Sequence, residues 1–120
     1  MKTILIIDDE PSIVMILKEL LSDQGYHILT AFDGRDGINL LVSKKPPDLV
    51  LLDLNMPGTS GKMVIDTMRK HKLLSNTPFI IITGAIRNQI DFPEEGSYQA
   101  LINKPFELEE VLSKVKELLP

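Results

Sequence analysis

Pro47-Asp48-Leu49-Val50-Leu51-Leu52-Asp53-Leu54-Asn55-Met56-Pro57-Gly58 is the stretch that decides the fold of this 120-residue chain. Leu49 to Leu52 is an unbroken apolar run, the pattern of a strand covered on both faces inside a parallel sheet. It delivers one carboxylate, Asp53, to the strand's C-terminal end. Met56-Pro57-Gly58 then turns the chain, proline presetting φ and glycine supplying the freedom a tight turn needs. Ligands of open α/β sheets bind beyond the carboxyl ends of the strands, so Asp53 stands where chemistry would be. A lone aspartate there could equally cap a turn.

Upstream, Thr3 to Ile7 reads as a central strand that stops at Asp8-Asp9-Glu10. Pro11 suits a first helical position, Glu10 can serve the exposed helix N-terminus, and Ile13, Ile16, Leu17, Leu20 and Leu21 form one stripe before Gly25. His27 to Ala31 is a shorter strand, and Asp33 is the expected N-cap of a helix burying Ile38, Leu41 and Val42. Downstream, a helix from about Gly61 carries Val64, Ile65 and Met68 on one face, and Phe79 to Ile82 is a second fully apolar strand ending at Thr83-Gly84. Ala85 to Gln99 is poorly patterned: Pro93 interrupts any long helix, and Asp91-Phe92-Pro93-Glu94 resembles a capping box that would start a short one late. Ala100 to Ile102 is a short strand before Asn103-Lys104-Pro105-Phe106, and a last helix has the stripe Leu108, Val111, Leu112, Val115, Leu118 and Leu119. Strand and helix alternate five times, which predicts one doubly wound α/β domain over residues 1–120, with five parallel strands and a short or irregular fourth helix.

Composition narrows the function classes. The net charge is −4, and the densest basic run, Arg69-Lys70-His71-Lys72, falls at a predicted helix C-terminus, where cations favour the macrodipole; this argues against a nucleic-acid surface. The chain has no cysteine, so disulfides and thiolate metal sites are excluded. The apolar stretch after Met1-Lys2 is too short for a signal peptide, and no segment approaches bilayer length; a soluble, cytoplasmic domain is the economical expectation. His27 and His71 show no metal or triad pattern, and the methionines read as core and turn packing.

Four strand ends carry groups of defined type: Asp8 and Asp9 after the first, Asp53 after the third, Thr83 after the fourth and Lys104 after the fifth. A parallel sheet brings these ends to one edge. Separately they read as a helix cap, a turn, a backbone-bonded hydroxyl and a solvated lysine. Together, the three carboxylates repel, and a hard divalent cation such as Mg²⁺ relieves them while leaving room for a phosphate oxygen. An ammonium and a hydroxyl beside one aspartate suit a phosphoryl group passing onto that carboxylate.

In this order and spacing, Asp8-Asp9, Asp53-Leu54-Asn55-Met56-Pro57-Gly58, Thr83-Gly84-Ala85 and Lys104-Pro105-Phe106 resemble the receiver domain of two-component response regulators, chemotaxis regulators among them. The resemblance covers the whole chain and implies a flavodoxin-like (βα)5 three-layer sandwich. It implies that Asp53 accepts a phosphoryl group from a sensor histidine kinase or histidine phosphotransfer protein. It further implies Mg²⁺ held by Asp8, Asp9, Asp53 and the backbone carbonyl of Asn55, with Thr83 as the switch hydroxyl and Lys104 on a phosphoryl oxygen. The bond before Pro105 would be cis. The output partner, a fused effector and a phosphorylation-dependent dimer are left open by it, and the domain itself would bind neither nucleic acid nor membrane. Such a switch is not an enzyme beyond its own phosphorylation and dephosphorylation. One departure is Leu101, where the family usually has an aromatic residue that turns with the switch; Tyr98 is a nearby candidate to replace it.

Two other functions compete. A Mg²⁺-dependent phosphohydrolase with an aspartate nucleophile would usually carry an acid two positions later, where Asn55 stands. An interaction-only receiver would not need the intact acidic pair, acceptor, hydroxyl and lysine. A dinucleotide-binding enzyme is unlike this chain, because no G-x-G-x-x-G follows the first strand.

Overall fold

A computed structural model describes residues 1–43, 45–71, 74–84 and 92–120. Five strands, β1 (Thr3–Ile7), β2 (His27–Ala31), β3 (Leu49–Leu52), β4 (Phe79–Thr83) and β5 (Ala100–Asn103), form one sheet in the order β2-β1-β3-β4-β5. Every pairing is parallel. The described helices are α1 (Pro11–Asp23), α2 (Gly34–Ser43), α3 (Gly61–Lys70) and α4 (Leu108–Leu118).

The continuous apolar runs are explained by burial on both faces of the sheet. Alternate residues point to opposite sides: Ile4, Ile6, Leu49, Leu51, Ile80, Ile82 and Ile102 pack with Val14, Leu17 and Leu21 of α1 and with Val111 and Val115 of α4. Leu5, Ile7, Val50, Leu52, Phe79 and Ile81 face Leu41 of α2 and Val64, Ile65 and Met68 of α3. The result is three layers with a core on each side of the sheet, the flavodoxin-like sandwich.

Local signals behave as their chemistry dictates. Gly25 ends the turn after α1 with φ of +92°, and Gly58 adopts +76° in the turn that follows Asp53. The Asp33 carboxylate accepts the Asp36 amide at 2.8 Å at the start of α2. Arg69 does more than answer the α3 macrodipole. Its guanidinium donates to the carbonyls of Ser75 at 3.1 Å, Thr77 at 2.9 Å and Ser97, and lies 5.1 Å from the centre of the Phe79 ring.

Residues 85–91, including the expected start at Asp91, lie outside the described residues. Residues 92–99 form no helix; they turn at Gly96, with φ of +89° and the Ser97 amide donating to Glu94 at 3.1 Å. Tyr98 precedes β5 and packs edge-on against Phe92, at the opposite end of that strand from Lys104, so it does not replace an aromatic at position 101. Among the described residues no helix is long and apolar enough to cross a membrane.

Candidate functional site

The strand order reverses direction between β1 and β3, and the crevice beyond their carboxyl ends is the natural ligand site of such a sheet. Ile7 pairs with Leu52, so the next residues, Asp8 and Asp53, leave the sheet side by side. The backbone fixes both exits: the Asp53 amide donates to Ile7 O at 3.0 Å, and the Asp8 amide to Ala31 O at 3.1 Å. On the other side Thr83 pairs with Asn103, and the Lys104 amide donates to Thr83 O at 3.1 Å. All the strand ends expected to converge do so.

Asp53 and Thr83 are buried, and their side chains meet: Thr83 Oγ1 donates to Asp53 Oδ1 at 2.8 Å. The Asn55 amide donates to the same oxygen at 3.1 Å, folding the chain back after the strand. Asp53 Oδ2 faces Lys104 Nζ at 3.3 Å, and the same ammonium lies 2.9 Å from Asp8 Oδ2 and 2.9 Å from Glu10 Oε1. Asp8 Oδ1 accepts the Glu10 amide at 2.9 Å. The Lys104–Pro105 peptide is cis.

Four carboxylates, those of Asp8, Asp9, Glu10 and Asp53, bring one oxygen each to within 4.8 Å of one another. Among the described residues one ammonium, that of Lys104, faces them. Burial pushes the Asp8 carboxyl above its ordinary value and the nearby Asp53 charge adds to this, while the Glu10 amide and Lys104 offset part of the rise. Repulsion is thus the smaller cause, and desolvation the larger, of the strain expected at this edge. Burial alone would lower the Lys104 pKa; its bonds to Asp8 and Glu10, with the charges of Asp53 and Asp8, raise it instead. An all-oxygen, net-negative cluster with partly open access has the donor chemistry of a hard divalent cation.

Glu10 was not among the residues expected here. Sequence suggested service to the α1 N-terminus, and Glu10 does occupy the N-cap position, yet its side chain makes no capping bond and reaches Lys104 instead. An acidic residue directly after Asp8-Asp9 was the available signal. Beside the cluster opens a cavity of 720 Å³, whose polar wall includes Glu10, Asp53, Asn55 and Lys104 and whose apolar wall is Ile13, Ile16, Pro105, Phe106 and Leu108. Leu101 lies on β5 with 37% of its surface exposed.

Residues 4–116 match the family model described as the response regulator receiver domain. The chain is 36% identical over 121 residues to the DNA-binding dual master transcriptional regulator RpaA of Synechocystis sp., covering 99% of this chain and 49% of that protein. It is 32% identical over 120 residues to sporulation initiation phosphotransferase F of Bacillus subtilis, covering 98% of this chain and 93% of that one. The chain thus spans about half of the first of these relatives and nearly all of the second. Among solved structures, the response regulator protein TrrA of Thermotoga maritima, in complex with Mg²⁺-BeF, superposes with a TM-score of 0.84 at 37% identity, covering 98% of this chain and 99% of that one. TrrA in complex with the histidine kinase ThkA gives a TM-score of 0.83 at 38% identity over 100% of both chains.

Proposed function

The chain belongs to the response regulator receiver domain family, and we propose that residues 1–120 act as one phosphorylatable switch whose acceptor is Asp53. The observation that carries this reading is the pairing of a buried Asp53 with both Thr83 Oγ1 at 2.8 Å and Lys104 Nζ at 3.3 Å. Oδ1 is held by Thr83 and the Asn55 amide, whereas Oδ2 meets Lys104 at that ammonium's longest contact, so Oδ2 is the oxygen more easily freed to attack.

In the step proposed, an Asp53 oxygen attacks phosphorus, the P–N bond of a phosphohistidine breaks, and the released imidazole nitrogen takes a proton from solvent. The Thr83 hydroxyl and the Lys104 ammonium then turn from the carboxylate to phosphoryl oxygens, where their charge and hydrogen bonds oppose the new negative charge. Asp8, Asp9, Asp53 and the Asn55 carbonyl would hold Mg²⁺, which supplies charge neutralisation at the transferring group. This chain's residues serve only its own phosphorylation and its reversal. Asn55, two positions after the acceptor, lacks the acid that a phosphohydrolase of this kind would use.

The proposed donor is a histidine kinase or phosphotransfer protein, in the cytoplasm. TrrA was solved with such a kinase, and here the apolar wall of Ile13, Ile16, Phe106 and Leu108 beside Asp53 offers a protein surface next to the acceptor. Output would follow from a change in what the switched domain binds.

Intact-mass spectrometry after incubation with acetyl phosphate tests the chemistry. Gain of one phosphoryl group with Mg²⁺ and none with a chelator is expected. A gain that ignores the chelator would refute the Mg²⁺ requirement, and no gain under any condition would refute the switch.

A further inference from the structure

We propose that Glu10 is a positioning residue for Lys104, holding the ammonium while a divalent cation takes the Asp8 and Asp53 carboxylates, and thereby setting how readily that cation binds. The inference rests on the Mg²⁺ reading above. Lys104 Nζ has three hydrogens and three carboxylate contacts: Asp8 Oδ2 at 2.9 Å, Glu10 Oε1 at 2.9 Å and Asp53 Oδ2 at 3.3 Å. All three partners belong to the oxygen cluster, and two of them, Asp8 and Asp53, are buried at strand ends, where a cation would be held most closely.

Glu10 differs from both. Its side chain is 55% exposed, and although it stands at the N-cap of α1 it makes no capping bond. The carboxylate is directed across the site to a lysine 94 residues away instead of along its own helix. A cation entering between Asp8 and Asp53 brings positive charge beside the ammonium, in a site too buried for solvent to screen well. Lys104 must then loosen from the carboxylates the cation needs. Glu10, on the solvent side, keeps the ammonium paired as it does so. Without Glu10, the remaining partners of Lys104 among the described residues are the two groups for which the cation competes.

The test is calorimetric titration of the full chain with Mg²⁺ in about 0.5 M KCl, where a Debye length of about 4 Å suppresses the plain loss of a surface charge. Glu10→Gln is expected to weaken Mg²⁺ binding about tenfold, the usual size of an effect from a group that orients another near a metal. In a Lys104→Met background the same substitution should cost about twofold or less, because the competitor has gone. Equal factors in the two backgrounds would show that Glu10 acts on the cation directly or by charge alone, and would overturn the inference. Should Lys104→Met fail to fold, Glu10→Asp decides, since it keeps the charge but shortens the reach to Lys104. Weakening like that of Gln supports the proposal, and wild-type affinity overturns it. No Mg²⁺ binding by the unaltered chain would instead refute the metal reading, and this inference with it.

Discussion

Lys104 is the residue on which the electrostatics of the site turn. It is the positive partner of Asp8, Glu10 and Asp53 at once, and its pKa lies above the ordinary 10.5. Its contribution to stability is therefore complete below pH 10.5 and is lost as pH rises through the higher folded value. Asp8 has the same sign at the other end of the scale. Its folded pKa is raised above 3.8, so the stability it contributes is full below pH 3.8 and is lost as pH climbs through and beyond that value. Asp8→Asn should accordingly gain stability relative to the unaltered chain between about pH 3.5 and pH 7, read from urea melts at both. Parallel stability curves for the two proteins would show that burial does not disfavour the Asp8 charge. This residue-level balance was only half legible in sequence. The spacing of Asp8, Asp9, Asp53, Thr83 and Lys104 announced convergence, but Glu10 read as a helix-end acid, since nothing in a linear pattern tells whether a carboxylate turns along its helix or across a sheet.

At the scale of elements, the turn between β3 and α3 holds Asp53 in place. A Cβ on Gly61 would lie 2.6 Å from Leu54 Cα and 2.7 Å from Asp53 O, both backbone atoms with no rotamer to yield. The Gly61 amide also donates to Leu54 O at 3.2 Å, so α3 is seated directly on the residue that follows Asp53. Gly61→Ala should cost about 1–3 kcal/mol, with a lower melting temperature. Unchanged stability would mean that the turn has slack. Strands and helices of this domain were legible from pattern: Thr3–Ile7, His27–Ala31 and Leu49–Leu52 are delimited by apolar runs and their polar ends. The turn around Gly96 was not, because Phe92-Pro93-Glu94 offers helix-start chemistry while the tertiary contacts of Tyr98 and Arg69 engage the same stretch. Arg69 likewise looked like a cation answering a helix dipole. Its guanidinium also reaches the carbonyls of Ser75 and Thr77 in the following loop and that of Ser97, 28 residues away, which no helical pattern displays.

For the whole molecule, the site is inseparable from the fold. Its side chains arrive from β1, β3, β4 and β5, and those strands are ordered only by the two cores that clamp the sheet. A cation that binds the folded cluster must then stabilise the entire domain. With Mg²⁺ at a hundredfold excess over its Kd, the gain is about 2.7 kcal/mol, which should raise the melting midpoint by several degrees. No rise in a thermal melt at neutral pH would contradict cation binding at this edge. The central claim is that Asp53 accepts the phosphoryl group, and it is tested most directly by trapping the acyl phosphate. Borohydride reduction of the protein after treatment with acetyl phosphate and Mg²⁺, followed by peptide mass mapping, should convert position 53 alone to homoserine, and Asp53→Asn should show no conversion. Homoserine at position 8 or 9, or undiminished labelling of Asp53→Asn, would contradict the account.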